Sequence, residues 1–228
     1  MIIQIRLRRR PVLDESMREL NDRIVTAFSK ISNFWGHGKS PSDAPFDGDE
    51  DVATLDLRKS LQKGLSGQAI YHGRFPGSME DNSIHDDILM LRLNTEKIEY
   101  IDFCMKTLPL LINVFEPYKA IVETDEDVGV ADWRVMSEHW QKTRQSIGGR
   151  QGVFRIWPVN FFDDVLCRRS FGIGAAEVVR LAAPECGRAE VLNGGAFLLV
   201  TTELVVGTAA LNDLNARVRS CLDCGDSA

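Results

Sequence analysis

The sequence predicts an α+β protein: a mixed sheet with amphipathic helices packed on it, forming a single domain over residues 1–228 with scope for two small lobes divided within 72–87. Three observations predict this. Residues 86–133 read as strand, long helix, strand and acidic loop. A second amphipathic helix follows the N-terminal strand. Near the C-terminus, Asn193-Gly194-Gly195 separates two apolar runs and a last helix follows.

Ile2 to Leu7 alternates, with Ile3, Ile5 and Leu7 on one face, as a strand requires. Asp14 is placed to cap the helix behind it. Met17, Leu20, Ile24, Ala27, Ile31 and Phe34 recur there at spacings of three and four, which puts them on one helical face. Residues 36–51 are rich in Gly, Pro, Ser and Asp and read as a loop. A short helix is assigned around Leu55 to Leu65, and a long polar connection over 72–87.

The run Ile88, Leu89, Met90, Leu91 and Leu93 has the nearly continuous apolar character of a strand covered on both faces. Ile98, Ile101, Met105, Leu108, Ile112 and Phe115 then form a helical stripe over residues 97–115. Pro109 lies inside it, and its ring and missing N–H predict a kink near Met105. Tyr118 to Glu123 reads as the second strand of this unit, a crossover if the two strands are parallel.

Residues 132–146 read as a helix that Gly148-Gly149 stops, Val153 to Trp157 as a strand, and Pro158-Val159-Asn160 as a turn. Short helices follow at 161–169 and 175–181. Ala189 to Leu192 and Ala196 to Thr202 form a hairpin about Asn-Gly. Gly207 opens a last helix with Leu211, Leu214, Val218 and Leu222 facing inward.

Charge is the next informative feature. The chain carries a net −6, with an isoelectric point near 5.3. Residues 41–138 hold 9 basic and 20 acidic side chains, so the excess negative charge is all in the middle. Such a field opposes a nucleic-acid backbone and suits a basic protein partner. Two acidic runs stand out: Asp43, Asp47, Asp49, Glu50 and Asp51, and then Glu123, Asp125, Glu126 and Asp127. Carboxylates this close repel one another, so the second run is expected in solvent, as a turn into a helix N-terminus or as a charged docking surface. Trp133 and Trp140 follow closely, and aromatics beside charge are interface chemistry.

Membrane and cofactor classes find little support. No apolar run approaches the ~20 residues that span a bilayer, and MIIQIRLRRR reads as a strand, not a targeting signal. The five cysteines are odd in number and irregularly spaced, which suits the reducing cytoplasm. Gly36-His37-Gly38-Lys39-Ser40 looks like the end of a phosphate-binding loop, but the first glycine of that motif would stand at Asn33 and Pro41 breaks the helix that should follow. Cys221-Leu222-Asp223-Cys224 lacks the second pair that a zinc site needs. His85-Asp86-Asp87 has no partner set at metal spacing, no G-x-S-x-G elbow is present, and no Glu is followed two positions later by Lys as in restriction-type nucleases. These readings give no catalytic residue, no cofactor and no metal.

Several stretches together resemble the immunity proteins of bacterial polymorphic-toxin and type VI secretion systems, most closely immunity protein family fifty-two. They are the N-terminal strand and helix leading to Phe34-Trp35-Gly36-His37-Gly38 and an acidic loop, the segment 154–163 (FRIWPVNFFD), and the closing hairpin and helix. The resemblance implies a cognate toxin encoded beside the gene, often a restriction-endonuclease-like DNase, and a cytoplasmic role as its stoichiometric inhibitor. The family supplies no catalytic residues. From charge alone, Asp47, Asp49, Glu50, Asp51, Asp125, Glu126 and Asp127 are the candidate toxin-binding residues, with Trp133 as aromatic anchor. Two alternatives stand beside this: a hydrolytic enzyme using His72 or His85 with Asp86 or Asp87, and an assembly component of a secretion apparatus.

Overall fold

The computed structural model describes residues 1–32, 34–36, 52–75 and 85–223. The fold is α+β, as the sequence predicts. The chain divides into two compact units, Met1–Pro117 and Tyr118–Ala228.

In the first unit, β1 (Ile2–Arg9), β2 (Val52–Asp56), β3 (Leu65–His72) and β4 (Asp87–Asn94) lie in the order β2-β3-β4-β1. Their pairings are antiparallel, with Ile5 opposite Leu91 and Ala69 opposite Leu89. The expected strand Ile2–Leu7 is present and runs two residues further. β4 is not covered on both faces as expected. Leu89, Leu91 and Leu93 are buried, whereas Ile88 and Met90 are half-buried and Arg92 is exposed, the alternation of a sheet with one core face.

Helix α1 (Met17–Phe28) places Leu20, Ile24 and Phe28 in the core. Its N-cap is Ser16, not Asp14. Ser16 Oγ accepts from Glu19 N–H at 3.2 Å, and Glu19 Oε2 accepts from Ser16 N–H at 2.8 Å, a reciprocal pair that Asp14 lies too far upstream to make. The helix expected at 55–65 is absent. Leu55 alternates with exposed Thr54 and Asp56 on β2, and the chain turns before β3. The division between the units falls after Pro117, while β3 and β4, on either side of the 72–87 connection, pair with one another within the first unit.

The helical segment 100–115 is continuous but not uniform. A short α2 (Tyr100–Asp102) passes into a π turn at Phe103–Thr107, then α3 (Leu108–Phe115) begins. Pro109 stands in the first turn of α3. Widening the preceding turn accommodates a ring that would strike the carbonyl of Met105 in α geometry, so the expected irregularity falls where the sequence puts it.

The second unit contains β5 (Lys119–Glu123), α4 (Glu126–Thr143), β6 (Val159–Phe162), α5 (Asp164–Phe171), α6 (Ala175–Ala182), β7 (Arg188–Leu192), β8 (Gly195–Leu199) and α7 (Thr208–Asp223), with strand order β5-β6-β8-β7. Every residue of β5, β6 and β8 is buried. Phe162, Ala196 and Leu198 pack with α5, α6 and α7, while Ile121 packs with Val128, Trp157 and Leu211.

The hairpin stands as expected. Asn193 (φ 47°) and Gly194 (φ 75°) both have the positive φ that a type I′ turn requires. Leu211, Leu214, Val218 and Leu222 all face inward on α7.

Two expectations between α4 and α5 fail. Val153–Trp157 is not a strand, and 159–162 is strand β6 where a turn and the start of a helix were expected. Side chains take the place of a ladder along 153–157. Asn215 Oδ1 accepts from Ile156 N–H at 2.8 Å, Asn160 Oδ1 accepts from Trp157 N–H at 2.8 Å, and Arg219 donates to the carbonyls of Val153 and Phe154. With its backbone groups satisfied this way, the segment can bury Ile156 and Trp157 without a strand neighbour. Among the described residues, no helix is long and apolar enough to cross a membrane.

Candidate partner-binding surface

The candidate site is built on α4. Its helix starts six residues earlier than expected because Asp125 caps it. Asp125 Oδ1 accepts from the backbone N–H groups of Asp127 (3.1 Å) and Val128 (3.2 Å). Its other oxygen accepts from Gly207 N–H at 2.8 Å, just ahead of α7. These hydrogen bonds, the one from Gly207 foremost, hold the Asp125 carboxyl below the usual carboxylate range. Next to it, Thr124 Oγ1 donates to the carbonyl of Val205 at 2.5 Å. Asp125 therefore serves as a structural cap. Glu123 also departs from expectation, because it is buried at 8% exposure at the end of β5 and not in solvent.

Glu126 and Asp127 do stand in solvent on the first turn. A helix turns about 100° per residue, so Glu126, Val130 and Trp133 share one outward face. Val130 is 45% exposed and Trp133 61%. Val128 and Asp132 lie on the opposite, buried face. Asp132 accepts from both Nε and Nη2 of Arg155, the latter at 2.8 Å, and Arg155 Nη1 donates to Asn212 Oδ1 at 2.8 Å on α7. A bidentate carboxylate–guanidinium pair fixes rotation as well as position. With the Asp125 cap at one end and this pair in the middle, α4 is held as a rigid support for Trp133. Farther along, Arg144 lies over the Trp140 ring at 4.6 Å, so this second tryptophan is partly covered by its own helix end.

The structure thus brings Asp125, Glu126, Asp127 and Trp133 onto one element. Asp47, Asp49, Glu50 and Asp51 lie outside the described residues, as do His37 to Ser40 of the phosphate-loop look-alike. The Asp132–Arg155 pair was not anticipated; a bidentate partner for Asp132, 23 residues away, leaves no local signal in the sequence.

The alternative hydrolytic constellation is described in part. Asp87 is fully buried, and its two oxygens each lie 2.9 Å from an Arg74 nitrogen. Arg9 approaches it at 3.5 Å and His72 N–H donates to it at 3.0 Å. Arg9 in turn pairs with Glu15 (2.7 Å), and Arg23 joins Glu15 (3.0 Å) to Glu116 (3.2 Å). Asp86, also fully buried, faces Arg8 at 3.4 Å. A general base needs a lone pair aimed at substrate, and Asp87 spends its oxygens on this network. The His72 and His85 rings meet edge-on with centroids 5.9 Å apart, and burial pushes His72 below the usual imidazole range. Among the described residues, no group of three or more His, Cys, Asp or Glu is arranged to hold a metal ion.

No family model and no curated protein matches this chain.

Proposed function

We propose that this protein is a cytoplasmic immunity protein that binds a cognate secreted toxin, a restriction-endonuclease-like DNase, and neutralises it by stoichiometric complex formation. The observation that carries the reading is the outward face of α4, where Glu126 and Asp127 flank Val130 and a Trp133 that is 61% exposed. A nuclease is cationic where it holds phosphate, so clustered carboxylates on an inhibitor raise the association rate and select the partner. A tryptophan held out from a fixed helix gives such an interface an anchor at low entropic cost. The net charge of −6 adds to the same attraction at long range.

The test is a calorimetric titration of the protein into the product of the adjacent gene, catalytically inactivated, at low and high salt. One-to-one binding that weakens with salt supports inhibition through the acidic face. Binding indifferent to salt keeps the inhibitor role and moves the contact to apolar surface. An absence of heat at both salts discards the role.

A further inference from the structure

We propose that the open edge of β7 is a self-association site, where two copies of the chain pair antiparallel about Ala189 and set Arg188 of each opposite Glu190 of the other. Toxin binding is not needed for this pairing, so it stands or falls apart from the function proposed above.

β7 ends the strand order of the second unit and pairs with β8. Among the described residues no strand lies beyond it. The hairpin fixes which backbone groups face outward. In a two-residue type I′ hairpin the residues that flank the turn, here Leu192 and Gly195, exchange hydrogen bonds with each other. The ladder then repeats at every second residue, so Glu190 bonds toward Phe197 and Arg188 toward Leu199. The N–H and C=O groups of Ala189 and Val191 consequently point away from β8. A row of such groups is a template for one more strand.

Charge decides which strand fits. Ala189 packs toward the core that holds Val178 and Ala182 of α6. Arg188 and Glu190 lie on the other face of β7, each about one-third exposed and paired with one another at 2.7 Å. Many edges carry charge of one sign, which repels a second copy; this edge carries both signs. In an antiparallel pair centred on Ala189, Arg188 stands opposite Glu190 of the other copy, twice by symmetry. These are the non-hydrogen-bonded positions, where side chains come closest, and opposite charges there are favourable. Centring on Glu190 would instead oppose two carboxylates. Val191, 54% exposed, falls beside Gly187 of the other copy, where an added Cβ would meet nothing in its own chain nearer than 3.7 Å. Helix α6 packs on both β7 and β8, so the α6 helices of two joined copies come about 10 Å apart, the spacing of packed helices. Five residues a side make a small contact, and the dimer should dissociate on dilution.

The test is sedimentation equilibrium of the full chain over a concentration series, with Arg188→Glu and Glu190→Arg alone and mixed in equal amounts. Wild type should show a monomer–dimer equilibrium, and each single variant should dimerise about tenfold or more weakly, because like charges then face each other twice. The mixture should regain the wild-type association, as a mixed dimer that native mass spectrometry tells from the two homodimers by mass. Both chains of that mixed dimer still lack their internal Arg188–Glu190 pair, so recovery can come only from pairing between copies. A wild type that stays monomeric at every concentration overturns the proposal. A dimer that both single variants leave intact overturns it too, since the contact then lies elsewhere. Loss in both variants without recovery in the mixture also overturns it, because the charges then act within one chain.

Discussion

Asp125 and Gly207 are 82 residues apart in sequence and 2.8 Å apart in space, joined by the carboxylate that also caps α4. One side chain thus starts one helix and fixes the approach to another.

Replacing Asp125 with Ala should cost about 0.5–2 kcal/mol, the range for losing a helix cap. It should also free the Val206–Gly207 segment. Urea unfolding measures the first, and amide exchange at Gly207 the second. Asp125→Asn keeps one acceptor oxygen and should fall between wild type and Ala.

The same residue sets a pH dependence. Its folded carboxyl binds a proton less readily than the unfolded one, because the backbone N–H groups of Gly207, Val128 and Asp127 favour the charged form. Its stabilising contribution is thus full above the ordinary carboxylate range and disappears as the pH falls through the lowered folded value. Melting temperatures taken across that window should fall less steeply in Asp125→Asn than in wild type.

Asp132 and Arg155 form a partly buried bidentate pair on the inner side of α4. Removing either partner alone should destabilise by about 3–5 kcal/mol, because the other charge is then left in a poorly solvated place. The double replacement Asp132→Ala with Arg155→Ala should cost clearly less than the two single costs together. A double-mutant cycle by denaturant unfolding reads that coupling.

Trp133→Ala should leave stability within about 0.5 kcal/mol of wild type, as exposed substitutions do. A large loss of stability would mean that the indole supports the fold and is not held out for a partner. Thermal melts of the free protein decide between the two.

Gly194→Ala tests the hairpin. An added Cβ meets nothing within 4 Å, so its cost is conformational alone. At φ +75° that cost should be about 1–2 kcal/mol, seen as a lower denaturation midpoint with an unchanged slope.

The stretches read correctly from sequence are those where a single local rule acts without competition. The 3.6-residue stripe of α7 and the Asn193-Gly194 turn are of this kind, as is Pro109, whose ring demands relief at Met105 in any fold. The failures occur where two rules fit the same residues. Leu55, Leu57, Leu61 and Leu65 satisfy a loose helical spacing, while Ala53 and Leu55 alternate with exposed neighbours as strand β2 requires, and tertiary pairing with β3 decides for the strand. Val153–Trp157 has strand composition, but Asn215, Asn160 and Arg219 satisfy its backbone from a distance. In the candidate site, the exposure of Glu126, Asp127 and Trp133 was legible from charge and aromatic spacing. The tie of Val205 and Gly207 to the start of α4 was not, since it rests on hydrogen bonds to Thr124 and Asp125 from far along the chain.

The π turn at Phe103–Thr107 has a consequence for how the helix tolerates a change of length. A turn of this kind holds one residue more than an α turn. Deleting one residue there would let α geometry run through and swing the upstream side chains by about 100°. Tyr100, now 6% exposed, would leave the core, and Pro109 would meet the carbonyl it now avoids. Shortening this helix by one residue should therefore be far less tolerated than shortening an exposed loop.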